Sequence, residues 1–472
     1  MNYFNGEKQY VCFLCKQASD TNSKYCEACI SKNCEEKYGK CVECQQIITA
    51  KDWCQTCNSK RFKQNFDNWT SGNDDVDKFI QDTQLSAKNC FQVLEWIPYH
   101  RFNKPKFVGE GGFGKVYRAS WKDGYITHWD TSCDQWKRCK EKDSLVALKS
   151  LNNSQNVTST FLSEITAHLK VHRVKAPLQV IKCHGISQDP QTKEYIMVMN
   201  YAKNGNLQTF LKKKKKKEVA GLYKIHGKGL IHRDLHIGNI VCNHSHQCIT
   251  DMGLCKPADF HELENADDKY GVLSYLAPEI LRGDNYTQAS DIYSLGIIIY
   301  VVISELPPYY NISVHDRILA VEICEGLRPE FNIKVPQLIL HLIKRCLDAD
   351  PLNRPSTREI SRTFHEWLTE FNRYYEYGID NKELDRIELI KQIEETEKIN
   401  IENTKKINNS SLTNETHPEA IYKSRLLNFK NLPGPKNSND YYENYENISS
   451  KIYSGNFLKS DKTECLDCEI VD

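Results

Sequence analysis

Long apolar runs are missing from this chain. The longest strongly apolar stretch, Gly296 to Ile303, is far short of the ~20 residues that a bilayer-crossing helix needs. The opening MNYFNGEKQYVC lacks the apolar centre of a secretory leader. An excess of one charge is missing too: 63 basic side chains meet 62 acidic ones, for a formal charge of +1. That balance favours neither nucleic acid, nor a membrane surface, nor an acidic substrate. Together these absences predict no membrane span and a cytoplasmic, reducing location with access to the nucleus. Such a location excludes a disulfide framework, so the twenty cysteines need another explanation. At 472 residues, 40% hydrophobic and 26% charged, the chain has the composition of a soluble protein of two or three parts.

Histidine is absent from residues 1–60, which nevertheless hold nine of the cysteines. Eight fall into two sets, Cys12-x2-Cys15-x10-Cys26-x2-Cys29 and Cys41-x2-Cys44-x9-Cys54-x2-Cys57. Four thiolates on paired knuckles suit tetrahedral zinc with no open position, hence a structural metal whose binding is coupled to folding. The spacing leaves open whether ligands group within each set or interleave. Cys34 is left over as an ordinary thiol, and Cys465-x2-Cys468 is a lone pair in the tail. Residues 1–63 carry ten basic and seven acidic groups, a net +3, too mild to argue for nucleic acid; a protein-interaction module is the plainer expectation.

Further along, Asn73 or Asp74 is placed to cap a short helix with Val76, Phe79, Ile80 and Thr83 on one face. From about residue 99 to 372 strand-like and helix-like stretches mix. Two interruptions, Trp121–Ser144 and the lysine run Lys212–Lys217, read as solvated surface. Lys382–Lys406 is an amphipathic helix candidate with Leu384, Ile387, Ile390 and Ile393 in a thin stripe. Beyond Ile407 the chain is rich in Asn, Ser and Tyr and poor in aliphatics, which predicts disorder for most of it.

One set of residues carries chemistry. Gly109, Gly111, Gly112 and Gly114, with Val116 behind them, sit between two strand-like stretches, where a glycine turn lets backbone amides approach phosphates. Lys149, in Val146-Ala-Leu-Lys149, is an inward strand lysine suited to the phosphates of ATP. Glu164, on the next helix candidate, is placed to pair with it. In His232-Arg233-Asp234-Leu-His236-Ile-Gly-Asn239, Asp234 can take the proton of a substrate hydroxyl and Asn239 can ligate magnesium. Asp251, in Asp251-Met252-Gly253, supplies a second hard oxygen donor. Two metal ligands and one base suffice for in-line phosphoryl transfer, which depends on positioning and charge neutralisation.

In this order, with Ala277-Pro278-Glu279 after them, the motifs resemble the protein kinase superfamily, and most nearly its tyrosine-kinase-like group. The resemblance covers roughly 270 of the 472 residues. It implies an α+β, two-lobed kinase fold with a β-rich N-lobe and a helical C-lobe. It further implies that Met199 to Ala202 form the hinge, with Asn200 and Ala202 binding adenine through backbone groups. Asp291 resembles the aspartate that supports the turn around Asp234, and Arg354 the arginine that pairs with Glu279. The sequence departs from the family at His236, shorter than the lysine usual in serine/threonine kinases and lacking its permanent charge. It departs again in the short interval of 32 residues between Tyr201 and Asp234, where Lys212–His226 offers a helix with lysines in its first half.

The expected organisation is thus a zinc-ribbon-like module (1–60), a linker with a short helix (61–98), a kinase domain (99–372), a helical extension (373–407) and a disordered tail (408–472). The expected function is transfer of the γ-phosphate of MgATP to protein Ser/Thr, or Tyr, hydroxyls in signalling, with ATP, Mg2+ and structural Zn2+ as cofactors. The partners expected are protein substrates and a protein that binds the zinc module. The rivals are a pseudokinase scaffold without turnover, and a zinc-dependent nucleic-acid- or protein-binding module with a passenger kinase domain.

Overall fold

A computed structural model describes residues 10–12, 14–19, 25–111, 114–139, 145–151, 158–171, 180–207, 221–243, 246–258, 268–310, 312, 316–377, 388–407 and 422–438. The chain divides into two compact units, one drawn from residues 1–210, 217–228 and 240–255, the other from residues 211–216, 229–239 and 256–472. Among the described residues no helix is long and apolar enough to cross a membrane.

The first unit opens with helices α1 (Glu27–Tyr38), α2 (Gln55–Gln64) and α3 (Asp74–Ser86). Strands β1 (Glu95–Trp96), β2 (Phe102–Gly111), β3 (Gly114–Trp121), β4 (Tyr125–Asp130), β5 (Gln135–Cys139) and β6 (Leu145–Leu151) follow. Then come helix α4 (Ser159–Val171), strands β7 (Cys183–Gln188) and β8 (Tyr195–Asn200), helix α5 (Gly221–His226) and the hairpin β9 (Ile240–Asn243) and β10 (His246–Ile249). Six strands form one sheet in the order β1-β7-β8-β6-β3-β2, antiparallel except for the β1–β7 pair. Alternation along β6 sends Val146 and Leu148 to one face, where they pack with Ala119, Trp121, Ile196 and Val198, and Lys149 to the other.

Helix α3 starts where its cap predicts: the Asn73 side chain accepts from the backbone N–H groups of Asp75 and Val76 at 3.0 and 3.1 Å. The linker expected over 61–98 is not a tether, however. Val76 and Ile80 of α3 are fully buried against Phe161 and Ile165 of α4, with Leu94 and Ile186 in the same cluster. The helix face found by periodicity is part of the sheet's own core.

The Trp121–Ser144 interruption also differs from expectation. Residues 125–139 form the β4–β5 hairpin, and its Trp136 ring stacks on Phe62 with centroids 4.5 Å apart. Trp53 completes the stack at 5.9 Å from Trp136 and donates its indole N–H to the Ala87 carbonyl at 2.9 Å. Burying Trp53 and Phe62 beneath a half-buried Trp136 outweighs solvating the polar residues between them.

In the second unit strand β11 (Asp268–Gly271) precedes helices α6 (Gln288–Ser304), α7 (Asp316–Cys324), α8 (Gln337–Cys346), α9 (Thr357–Tyr377) and α10 (Glu388–Ile407), and strand β12 (Arg425–Asn428) closes it. The apolar run Gly296–Ile303 lies inside α6, which is buried around most of its circumference. Thr287 and Ser290 cap that helix reciprocally. A Cβ on Gly296 would lie 2.8 Å from the Cβ of Cys346, so α6 and α8 approach only because that position has none.

Helix α9 runs past the boundary expected at 372, and α10 begins at Glu388 with Leu389 and Ile390 buried; Leu384 and Ile387 lie outside the described residues. Within the tail assigned to disorder by composition, residues 422–438 are extended and anchored, β12 pairing antiparallel with β11. Of Lys212–His226 only Gly221–His226 is described, with Leu222 and Ile225 buried. The lysine run, the acidic stretch 259–267 and Cys465–Cys468 lie outside the described residues.

Candidate functional site

In the first unit, Lys149 sits mid-sheet, paired in register with Val116 on one side and Met197 on the other. Its ammonium lies 2.8 Å from Glu164 Oε1 on α4 and 2.7 Å from Asp251 Oδ1. Burial works against the charged amine, but the Asp251 and Glu164 carboxylates outweigh it and hold Lys149 above its ordinary value. Asp251 occupies the left-handed region at φ 61°, a conformation that non-glycine residues rarely adopt. The glycine turn is the end of the β2–β3 hairpin, where Gly109 pairs with Val116 and Gly111 with Gly114; Gly112 lies outside the described residues. The hinge stretch ends β8, where the Asn200 amide oxygen lies 2.6 Å from His184 Nε2, and Ala202 follows the strand. With the Asn200 side chain so occupied, what this stretch offers a ligand is its backbone.

In the second unit, the backbone N–H groups of His232 and Arg233 donate to the two carboxylate oxygens of Asp291 at 2.7 and 2.9 Å. Arg233 is left-handed at φ 72°. This clamp fixes the turn carrying Asp234, which is 4% exposed. Asn239 Nδ2 donates to the Asp234 carbonyl at 2.9 Å and to its carboxylate at 3.2 Å, which turns the amide oxygen away as a hard donor. Gly238 N–H donates to His236 Nδ1 at 3.1 Å. Nδ1 is therefore an acceptor, and the ring hydrogen sits on Nε2. A Cβ on Gly238 would come within 2.8 Å of that Nδ1, so the contact requires glycine.

Arg354 makes a bidentate pair with Glu279, at 2.7 and 2.8 Å, both groups buried. Substituting Arg354→Met leaves the Glu279 charge without its fork of donors. We expect a loss of about 3–5 kcal/mol, read as a lower urea midpoint at unchanged slope; a midpoint within error of the parent chain would refute it.

One residue at this site was not picked out from sequence. Ser424 Oγ donates to Asp234 Oδ1 and Oδ2 at 2.7 and 2.8 Å and lies 3.3 Å from His236 Nε2. The only local signal was a small apolar island, Leu426, Leu427 and Phe429, in a polar tail.

The thiols gather within each sequence set, without interleaving. In each of Cys12, Cys15, Cys26, Cys29 and Cys41, Cys44, Cys54, Cys57, all four sulfur atoms lie within 4.8 Å of one another. The two sets use one design. The backbone carbonyls of Cys12 and Cys41 accept from the backbone N–H four residues on (Lys16, Gln45), and those two residues share φ 58°. The second pair of each set opens a helix, α1 after Cys26 and α2 after Cys54. Sulfur separations of 3.5 Å for Cys44–Cys54 and 3.7 Å for Cys41–Cys57 match the ~3.8 Å edge of a tetrahedron with 2.3 Å metal–sulfur bonds.

Residues 102–364 match the family model described as protein tyrosine and serine/threonine kinase. The chain is 28% identical over 305 residues to human mitogen-activated protein kinase kinase kinase 7, covering 60% of this chain and 44% of that protein. It is 25% identical over 316 residues to a Dictyostelium discoideum protein named a probable serine/threonine-protein kinase, covering 61% of this chain and 16% of that one. A Zea mays protein of similar name, CCRP1, is 25% identical over 58% of this chain and 42% of its own length. The chain thus spans less than half the length of these curated relatives. A match over more than half of the chain, on the same residues that carry the buried lysine, the clamped aspartate turn and the Arg354–Glu279 pair, shows that it belongs to the protein tyrosine and serine/threonine kinase family.

Proposed function

We propose that the chain transfers the γ-phosphate of ATP to hydroxyl groups of proteins, serine or threonine foremost. The observation that carries this reading is the Lys149–Glu164–Asp251 arrangement in one unit, matched by an Asp234 carboxylate with hydrogen bonds to hydroxyl and amide donors in the other. In this reading Lys149 binds nucleotide phosphates and Glu164 keeps its ammonium in place. The glycine hairpin at Gly109–Gly114 covers the phosphates with backbone amides, and the Asn200–Ala202 backbone receives the adenine. Asp234 orients the acceptor hydroxyl and takes its proton. His236, with hydrogen on Nε2, donates to the acceptor oxygen from the other side.

Asp251 and Asn239 offer a carboxylate and an amide oxygen, the hard donors that magnesium takes, and would hold it; when bound, it neutralises the phosphate charge that builds up in transfer. For the two thiol sets we propose one zinc each, a closed structural site in both cases. Its first role in this reading is within the chain, since α2, which begins at the second set, carries the Phe62 ring that stacks on Trp136. A cytoplasmic location and a protein partner for the exposed side of the head remain parts of the same proposal.

The test is phosphate incorporation from labelled MgATP into a generic protein substrate, with zinc retained, for the parent chain beside Lys149→Met. We expect label on serine or threonine from the parent and almost none from the variant, with both folded by circular dichroism. A folded parent chain that binds ATP yet transfers nothing would favour the scaffold reading.

A further inference from the structure

Ser424 has a geometry that packing alone does not require. Its hydroxyl is bonded to both oxygens of Asp234, with the hydrogen-bearing nitrogen of His236 3.3 Å away. A serine that merely tied down a tail would satisfy itself with backbone or water. Here it stands against the base that the proposed function assigns to an incoming substrate hydroxyl. We propose that Ser424 is a phosphoacceptor of this same chain, and that residues 422–438 are a built-in substrate segment seated in cis. The inference rests on the kinase reading.

Several anchors hold the segment in register. Strand β12 pairs with β11 through Asp268↔Asn428, Lys269↔Leu427, Tyr270↔Leu426 and Gly271↔Arg425. The Tyr270 hydroxyl donates to the Ser424 carbonyl at 3.3 Å, and the Tyr286 hydroxyl in turn donates to the Tyr270 carbonyl at 2.8 Å. On the N-terminal side the Tyr422 hydroxyl reaches the Pro308 carbonyl at 3.1 Å. On the C-terminal side Arg425 pairs with Asp316 at 2.5 Å, and Leu427 and Leu432 are buried. Further on, Lys436 N–H donates to the Cys324 carbonyl, and Asn437 accepts from Ala349 N–H and donates to Asp348. Contacts on both sides of Ser424 leave its hydroxyl little room to slide along Asp234. Backbone pairing supplies the attachment, and the side chain at the base supplies the chemistry.

The step balances with ATP as the second reactant. Ser424 Oγ forms a bond to the γ-phosphorus while the bond from that phosphorus to the β,γ-bridging oxygen breaks. The hydroxyl proton passes to Asp234, and ADP leaves. Afterwards a phosphate carrying between one and two negative charges faces the Asp234 carboxylate, and their repulsion favours release of the segment. Before transfer, the seated tail keeps other hydroxyls from Asp234; after it, the base is open to them.

The experiment follows Ser424 phosphate by mass spectrometry in the purified full chain with MgATP, beside labelling of a generic protein substrate. We expect Ser424 to be modified at a first-order rate that is unchanged across about a hundredfold dilution, because the acceptor is tethered at the base. A Lys149→Met chain mixed with the parent should stay unmodified at Ser424. Leu427→Asp, which puts a charge into the buried anchor of β12, should slow Ser424 modification about tenfold or more while labelling of the external protein persists or rises. Label in the external protein with Ser424 bare would overturn the inference and leave the kinase reading intact, as would modification of the Lys149→Met chain at the parent's rate. Absence of label from both acceptors would overturn the two together.

Discussion

Asp234→Asn is expected to lower phosphoryl transfer by about 10²–10⁴-fold, the usual worth of a positioned general base, without unfolding the chain. Asparagine keeps the size of the side chain and an oxygen that can accept the 3.2 Å bond from Asn239. The backbone around it is held independently, by Asp291 from below and by the Asn239 bond to the Asp234 carbonyl. What an amide cannot do is take up the hydroxyl proton. Lys149, Glu164 and Asp251 are untouched, so affinity for ATP should stay within about twofold, which corresponds to well under 1 kcal/mol. The check is initial rate at saturating MgATP alongside a nucleotide-binding titration. A variant that keeps a third or more of the parent rate would remove Asp234 from the role of base. A variant with normal chemistry but weak ATP binding would mean that the site had been misread as a whole.

The second large effect is expected from the Cys41–Cys44–Cys54–Cys57 set. Structural zinc in small thiolate sites binds with about 10–16 kcal/mol of apparent free energy that is also folding free energy. Here the consequence should travel. Trp53 immediately precedes Cys54, and Phe62 follows Cys57 on α2, so loosening this set frees two of the three rings in the Trp53–Phe62–Trp136 stack. Val93 and Ile126 belong to that same cluster, so the β4–β5 hairpin loses its packing partner. Chelation, or Cys44→Ser, should therefore abolish the near-ultraviolet circular dichroism of the stacked indoles and shift tryptophan emission to the red, reversibly with zinc in the chelated parent. Cys12→Ser, in the other set, should leave the stack largely in place, because its four cysteines neither adjoin Trp53 nor lie on α2, the helix that carries Phe62. Stripping zinc from both sets with no change in either signal would refute the structural role.

Much of the site could be read in advance because its parts are local. A glycine turn, a lysine on an alternating strand, an aspartate five residues before an asparagine and thiols in x2 pairs each depend on a few neighbouring residues, and their order along the chain did the rest. The α3 cap at Asn73 is equally local: side-chain oxygen and orphan N–H groups lie within three residues of each other.

The misread regions share the opposite property. Residues 61–98 passed for a linker because half an amphipathic helix does not name its partner; Phe161 and Ile165 lie some eighty residues on. Trp136 passed for solvated surface because the rings that stack on it, Trp53 and Phe62, lie far earlier in the chain. Composition predicts disorder for most of the tail, and as an average it cannot single out the four residues that pair with β11.

Residue types and local spacing were enough to set the kinase chemistry, the two thiol sets and a few elements such as the α3 cap at Asn73, since short-range sterics and hydrogen bonding act within one turn or one strand. Which distant surfaces meet was left to the fold: the head on the hairpin, α3 on α4, and the Ser424 hydroxyl on Asp234, 190 residues apart. Burial of apolar area is non-directional, so it drives surfaces together without saying which ones, and only the assembled shape picks the pairs.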